Sequence, residues 1–220
     1  MNRVEIKENA KKIIKGNLWK IFGILFLVAL LGSIVTATIK YIYGMIFAGF
    51  NISLTETVIT SGITTKINTL AGNIFSIIET VVTLMISFVS THYMLNFVRG
   101  NKIDISESIN FLFNNILNIF IVSLLHTLII ELGYLLLVIP GIIASIGLIF
   151  VPEILVDNPN LKNIEVLKKS WNMMMNHKMN YFVFMLSFLG WLLLCVFLIP
   201  MVYVIPYLEV ARILYYENIK

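Results

Sequence analysis

The chain has 220 residues, 59% of them hydrophobic and 13% charged, with a mean hydropathy of +0.91 and a net charge of +4. Soluble domains carry roughly a quarter charged residues, so this composition excludes an ordinary water-soluble protein and predicts an all-α polytopic membrane protein, a single unit over 1–220. The lone Cys195 excludes an intrachain disulfide, a CxxC redox pair and a cysteine-rich zinc site. The basic residues flank apolar runs without a recognition motif, which points to lipid headgroups and not to nucleic acid.

Residues 2–15 place Val4, Ile6, Ala10, Ile13 and Ile14 near helical spacing among Arg3, Lys7, Lys11, Lys12 and Lys15. This predicts an amphipathic helix on an anionic cytoplasmic leaflet or, equally, a solvated basic start that sets orientation. Gly16-Asn17 ends it. A first span covers 21–39, with Lys40 snorkelling at its far end. Val35-Thr36-Ala37 imitates a cleavage site, yet the apolar run exceeds the ~7–15 residues of a secretory core, so the helix reads as retained. Residues 51–73, rich in Ser, Thr, Asn and Gly with Glu56 and Lys66, read as a long loop.

The second span, 74–97, carries Ser76, Glu79, Thr80, Thr83, Ser87, Ser90 and Thr91 every third or fourth position, one helix face that should point into the protein. A short surface helix is expected over 106–114, then a third span over 116–139 with a second stripe at Ser123, Thr127, Glu131 and Tyr134. Pro140-Gly141 predicts a hairpin turn, and 142–156 a return span bent at Pro152. Asn158 reads as an N-cap with Pro159 in the first helical position. That helix has an apolar seam of Leu161, Ile164, Leu167, Trp171 and Met174. A fifth span, 181–199, stops at Pro200, and a sixth returns over 201–216.

Six spans put both ends on one side. Every Lys and Arg except Lys40 and Lys66 falls there, which the positive-inside rule assigns to the cytoplasm; Arg212, inside a span, does not alter the sign. Residues 15–22, 113–120 and 175–182 each set a Gly or Asn turn before a Phe at the same offset, Phe22, Phe120 and Phe182. This reads as a threefold unit of surface helix plus hairpin, against the alternative of chance matches in apolar sequence.

Leu137-Val138-Ile139-Pro140-Gly141-Ile142-Ile143, then Pro152-Glu153-Ile154-Leu155-Val156-Asp157-Asn158-Pro159, then Lys169-Ser170 with Met173-Met174 follow one another in order. Leu186-Ser187-Phe188-Leu189-Gly190-Trp191, Pro206-Tyr207 and Tyr215-Tyr216 complete the series, and Lys15-Gly16-Asn17-Leu18-Trp19 opens the chain. This order resembles the bacterial family of multi-pass membrane proteins catalogued as domain of unknown function 975. The likeness is specific from about 135 to 216 and loose between 40 and 100. It implies a six-helix protein of the bacterial cell membrane, similar to the membrane domain of some glycerophosphodiester phosphodiesterases, and no established activity. Ile199-Pro200-Met201 departs from the glycine-rich link usual there, and Arg212 from an uncharged residue.

Ionisable groups inside a bilayer cost roughly 2.5–3.5 kcal/mol each at its centre, so each needs a partner or a function. Counted at 1.5 Å per residue from the ends of their spans, Glu79 and Glu131 both lie ~8 Å below the outer edge of a ~30 Å core. They are either a proton- or cation-binding pair, a metal site should His126 join, or two separate acids bonded to neighbouring hydroxyls. Glu153 and Arg212 both lie ~17 Å down and suggest a bundle-locking salt bridge, with Glu209 competing three residues from Arg212. His92, His126 and His177 lack ligand spacing and read as structural, and no phosphate loop or nucleophile motif appears, so no cofactor is expected. Three functional classes remain: a non-enzymatic structural or accessory membrane component, alone as a homo-oligomer or with other membrane subunits; a small transporter using Glu79 and Glu131; and a lipid-handling enzyme.

Overall fold

The computed structural model describes residues 3–54, 61–102, 104–197 and 199–220, and among them every regular element is helical. The N-terminal helix α1 (Arg3–Ile14) ends at Gly16, whose φ of +93° is a conformation that favours glycine. Two long helices follow, α2 (Leu18–Leu54) and α3 (Ser61–Val98), which pack along each other. The loop expected over 51–73 is therefore corrected: 51–54 and 61–73 are helical, and within that stretch only 55–60, Glu56 included, lie outside the described residues. Ile63, Ile67, Leu70 and Ile74 recur at i, i+4, i+7 and i+11, a helical period hidden by the surrounding Ser, Thr and Asn.

After Gly100, with φ +82°, α4 (Ile105–Asn114) leads through Asn115 into α5 (Ile116–Leu136). The turn that follows is not at Pro140-Gly141. It is at Leu137, extended at φ −164° and ψ 159°, and Pro140 and Gly141 lie inside α6 (Val138–Gly147). Proline is tolerated there because the first-turn N–H groups of a helix have no intrahelical acceptor. The close approach of backbones decides the glycines: a Cβ at Gly141 would enter the Tyr134 ring, and one at Gly133 would lie 3.0 Å from Gly141 Cα.

The return span breaks at residues 148–150 and resumes as α7 (Val151–Asp157), with Pro152 in its first turn. Asn158 caps the C-terminus of α7, its amide donating to Ile154 O at 3.2 Å, and does not open the next helix. That helix, α8 (Asn163–Met174), starts after Lys162, four residues later than Pro159 suggests. It buries Val166, Leu167, Ser170 and Met174. The fifth span is also broken, into α9 (Lys178–Leu186) and α10 (Leu189–Leu194), followed by a 3-10 turn over Cys195–Phe197; α11 (Met201–Ile219) ends the chain.

Among the described residues, five stretches are long and apolar enough to cross a membrane: Leu18–Ile46, Ile74–Val98, Ile116–Leu136, Val138–Asp157 and Lys178–Phe197. α11 has comparable length at 19 residues but carries Glu209, Arg212 and Glu217. The hairpin tip Leu135–Ile139 is apolar and at least 65% exposed at every residue, a surface that suits hydrocarbon and not water. The core lies towards the other end, where Phe150 just before α7, Tyr181 and Phe184 of α9, Phe188 just after it, and Tyr207, Tyr215 and Tyr216 of α11 form one aromatic cluster. α1 packs on α11 with Ile6, Ala10 and Ile14 buried, so it is part of the bundle and not only a helix resting on it.

Candidate functional site

Three charged groups meet inside the bundle. The Arg212 guanidinium on α11 donates from Nε to Glu209 Oε2 at 3.1 Å and from Nη2 to Glu209 Oε1 at 2.6 Å, while Nη1 contacts the carboxylate of Glu153 on α7. The spacing of Glu209 and Arg212 on one helix face makes the first pair local; the break before Val151 turns α7 so that Glu153 faces α11. Glu153 is fully buried, and Arg212 and Glu209 are 17% and 21% exposed. Two carboxylates share one guanidinium, so the cluster carries a net charge of −1 when all three are ionised.

Arg212 and Glu209 form one wall of a cleft of about 420 Å³. Ser87, Ser90 and Thr91 of α3, His126 of α5 and Ser145 of α6 supply its other polar groups; Leu25, Leu84, Ile130 and Ile149 supply apolar surface. A second cleft of about 460 Å³ runs on towards Glu79, past Thr80 and Thr83, and shares Leu84 and Ser87 with the first. The α3 stripe therefore lines a groove: Ser76, Thr80 and Thr83 are exposed, Ser87 and Ser90 half-buried and Thr91 buried. An inward-facing stripe holds only for its inner end. Glu79 forms its ion pair with Lys40 of α2 at 2.9 Å, whereas Glu131 is exposed, lines neither cleft and has no hydrogen bond to Glu79 among the described residues.

A second ionic cluster closes the end of the bundle where α3, α7 and α11 finish. Arg99 holds Asp157 with a bidentate pair, Nη1 to Oδ1 at 2.7 Å and Nη2 to Oδ2 at 3.0 Å, and donates from Nε to Glu217 at 2.9 Å. Asp157 also accepts from Tyr216 at 2.7 Å and pairs with Lys220 at 2.6 Å. The hydrogen bond to Asp157 is the main reason Arg99 stays protonated to well above the ordinary guanidinium range. Two cations balance two anions here, unlike the interior cluster. Sequence reading missed this group, although Arg99, Asp157 and Glu217 each stand at an end of an apolar run on the same side.

The histidines fall in three settings. His92 Nδ1 lies 3.0 Å from Ser108 Oγ with the ring stacked on Phe111 at 4.4 Å, His126 lines the interior cleft, and His177 lies beside Arg3, Asn180 and Tyr215 around a cavity of about 160 Å³. No group of three or more His, Cys, Asp or Glu side chains suited to a metal ion occurs among the described residues. An apolar cleft of about 410 Å³ between α5 and α8, walled by Leu125, Ile129, Leu167 and Trp171, offers no acid. Lys7 of α1 donates to Ser187 O at 3.0 Å, at the break between α9 and α10, and lies over the Phe188 ring at 4.3 Å. Its pKa is lowered, first by burial and then by Lys11.

Neither the curated proteins nor the solved structures contain a match to the chain. Residues 134–220, which hold the interior triad and the acids Asp157 and Glu217 of the end cluster, match the family described as protein of unknown function (DUF975).

Proposed function

We propose that this is a multi-pass protein of the bacterial cytoplasmic membrane, crossing it six times with both ends in the cytoplasm, and that it serves as a non-enzymatic structural or accessory component. The observation that carries the topology is the Arg99–Asp157–Glu217 cluster, which sets the ends of α3, α7 and α11 side by side. Those ends lie on the side to which the distribution of Lys and Arg assigns the cytoplasm. α11 acts as the sixth span because Arg212 is matched by Glu153 and Glu209 inside the bundle instead of facing lipid.

The accessory role is supported by how the reactive side-chain types are used. Ser170 donates to Gly147 O at 3.0 Å, the Cys195 thiol donates to Trp191 O at 3.5 Å, and His92 is held between Ser108 and Phe111. Alkaline phosphatase and fluorescent-protein fusions after Lys220 and at the Leu137 turn test the topology. A fluorescent, phosphatase-inactive C-terminal fusion with an active hairpin fusion is expected, and the opposite pattern overturns it. One observation favours a second reading as a small carrier: Leu84 and Ser87 line both clefts, of which one reaches Glu79 and the other Arg212.

A further inference from the structure

The interior cleft has a chemical bias that its residue types alone do not show. A hydroxyl offers one donor and two lone pairs. Ser87 donates to Leu84 O at 2.7 Å, Ser90 to Ser87 O at 2.8 Å and Ser145 to Ile142 O at 2.9 Å. The three serine hydroxyl hydrogens are thus committed to backbone carbonyls, Thr91 being the fourth hydroxyl of the cleft, and what the serine oxygens present to the space is lone pairs. Thr80 and Thr83 do the same along the adjoining groove, donating to Ser76 O and Glu79 O at 2.9 and 2.8 Å. The serine side of the cleft is a surface of acceptors, and the donors that line the space belong to Thr91, His126 and Arg212.

Its charge has the same sign. Arg212 is shared between Glu153 and Glu209, so with both acids ionised the cluster holds one carboxylate charge more than the guanidinium balances, and a carboxylate has about four lone-pair sites of which Glu209 uses two on Arg212. Glu153 is fully buried and its second oxygen has no hydrogen-bond partner among the described residues. An anion would be repelled by the surplus charge and would find no free donor on the serines. A donor-bearing cation satisfies both.

We propose that this cleft binds an organic ammonium ion. Its head donates one N–H to Glu209 and the other two to hydroxyl oxygens among Ser87, Ser90 and Ser145. Its body lies along Leu84, Ile130 and Ile149. A space of about 420 Å³ with apolar walls and a few convergent polar groups is the size and character of a small-molecule site, and exceeds what a single desolvated alkali ion fills. The inference goes beyond the accessory role and rests only on the membrane placement, since water would otherwise fill the acceptors.

The test is equilibrium binding of tritiated 2-phenylethylammonium to the full-length protein in lipid nanodiscs, with empty discs subtracted. Saturable binding displaced by unlabelled amine, and not by equal concentrations of 2-phenylethanol or sodium chloride, is expected. Glu209→Gln leaves Arg212 its Glu153 partner while removing the surplus charge, and should weaken binding by about tenfold or more, as loss of a charge-assisted bond does. Ser87→Ala with Ser90→Ala leaves the ion cluster intact and should weaken it severalfold. Uptake no greater than in empty discs, displacement by the alcohol or by sodium, or unchanged affinity in the variants overturns the proposal. Protection of the spans from protease in the same discs reports the membrane placement separately, so the two readings fail independently.

Discussion

Replacing Arg212 by methionine keeps much of the side-chain volume and removes the charge that both Glu153 and Glu209 use. Three contacts disappear and two carboxylates are left facing each other, one of them fully buried. Breaking a buried ion pair by deleting one partner costs about 3–5 kcal/mol, and because Glu209 reaches the cleft and keeps some access to solvent or headgroups, the lower end applies. At ~2–4 °C per kcal/mol for a chain of this size, ~3 kcal/mol lowers the apparent unfolding temperature by about 6–12 °C. The assay is loss of monodisperse elution after heating in detergent. Arg212→Lys, which retains the charge but not the fork, should fall between. The triple change Glu153→Met, Glu209→Met and Arg212→Met removes every charge at once and should recover most of the loss. An Arg212→Met protein melting within about 2 °C of the native chain, or a triple variant no better than the single, refutes the account.

Gly147 lies under the Trp171 indole, where an added Cβ would come within 2.5 Å of the ring; Gly147→Ala should separate α6 from α8, cost about 1–3 kcal/mol and shift tryptophan emission. Arg99→Gln should loosen the last turn of α11, seen as faster amide exchange over residues 214–219, with Arg99→Lys giving only partial rescue because Asp157 is held bidentately. Lys7→Met should release α1 from Ser187, seen as faster tryptic cleavage at Lys11, Lys12 and Lys15. The lowered pKa of Lys7 sets a sign as well. The undocked helix binds the proton more tightly, so docking strengthens as pH rises through the lowered pKa towards the free value of 10.5. Protease protection that does not rise with pH in the native chain, or that rises equally in Lys7→Met, contradicts this.

The helical class and the apolar stretches were legible because nothing but an intramolecularly bonded helix satisfies a run such as 21–39 in hydrocarbon. Turn positions were less so. Pro140 signals a break as strongly as any residue, yet a helix accepts proline in its first turn, so the chain turned at Leu137, whose side chain carries no turn preference at all. The same ambiguity moved the start of α8 from Pro159 to Asn163. Residues 51–73 misled through composition: Ser and Thr favour loops in water, but a helix extending beyond the apolar stretch needs only the period of its few large side chains.

Among the charged residues, depth was readable and direction was not. Glu153 and Arg212 stand eleven residues from the starts of the spans expected over 142–156 and 201–216, and they touch in the structure. Glu79 and Glu131 stand at equal depth too, but depth leaves the azimuth free: Glu79 turns to Lys40 on α2, while Glu131 lies exposed on α5. The Ser/Thr stripe of α3 shows why azimuth is hard to infer from polarity. Each hydroxyl that donates to the carbonyl one turn earlier has satisfied its own hydrogen, so the residue tolerates an apolar surrounding and need not face the core. A guanidinium has no such local escape. It carries five N–H groups and a charge that no single backbone carbonyl neutralises, so Arg212 must face acids. In this chain the side chain that cannot satisfy itself locates the interior site, and the stripe of hydroxyls only marks the wall opposite it.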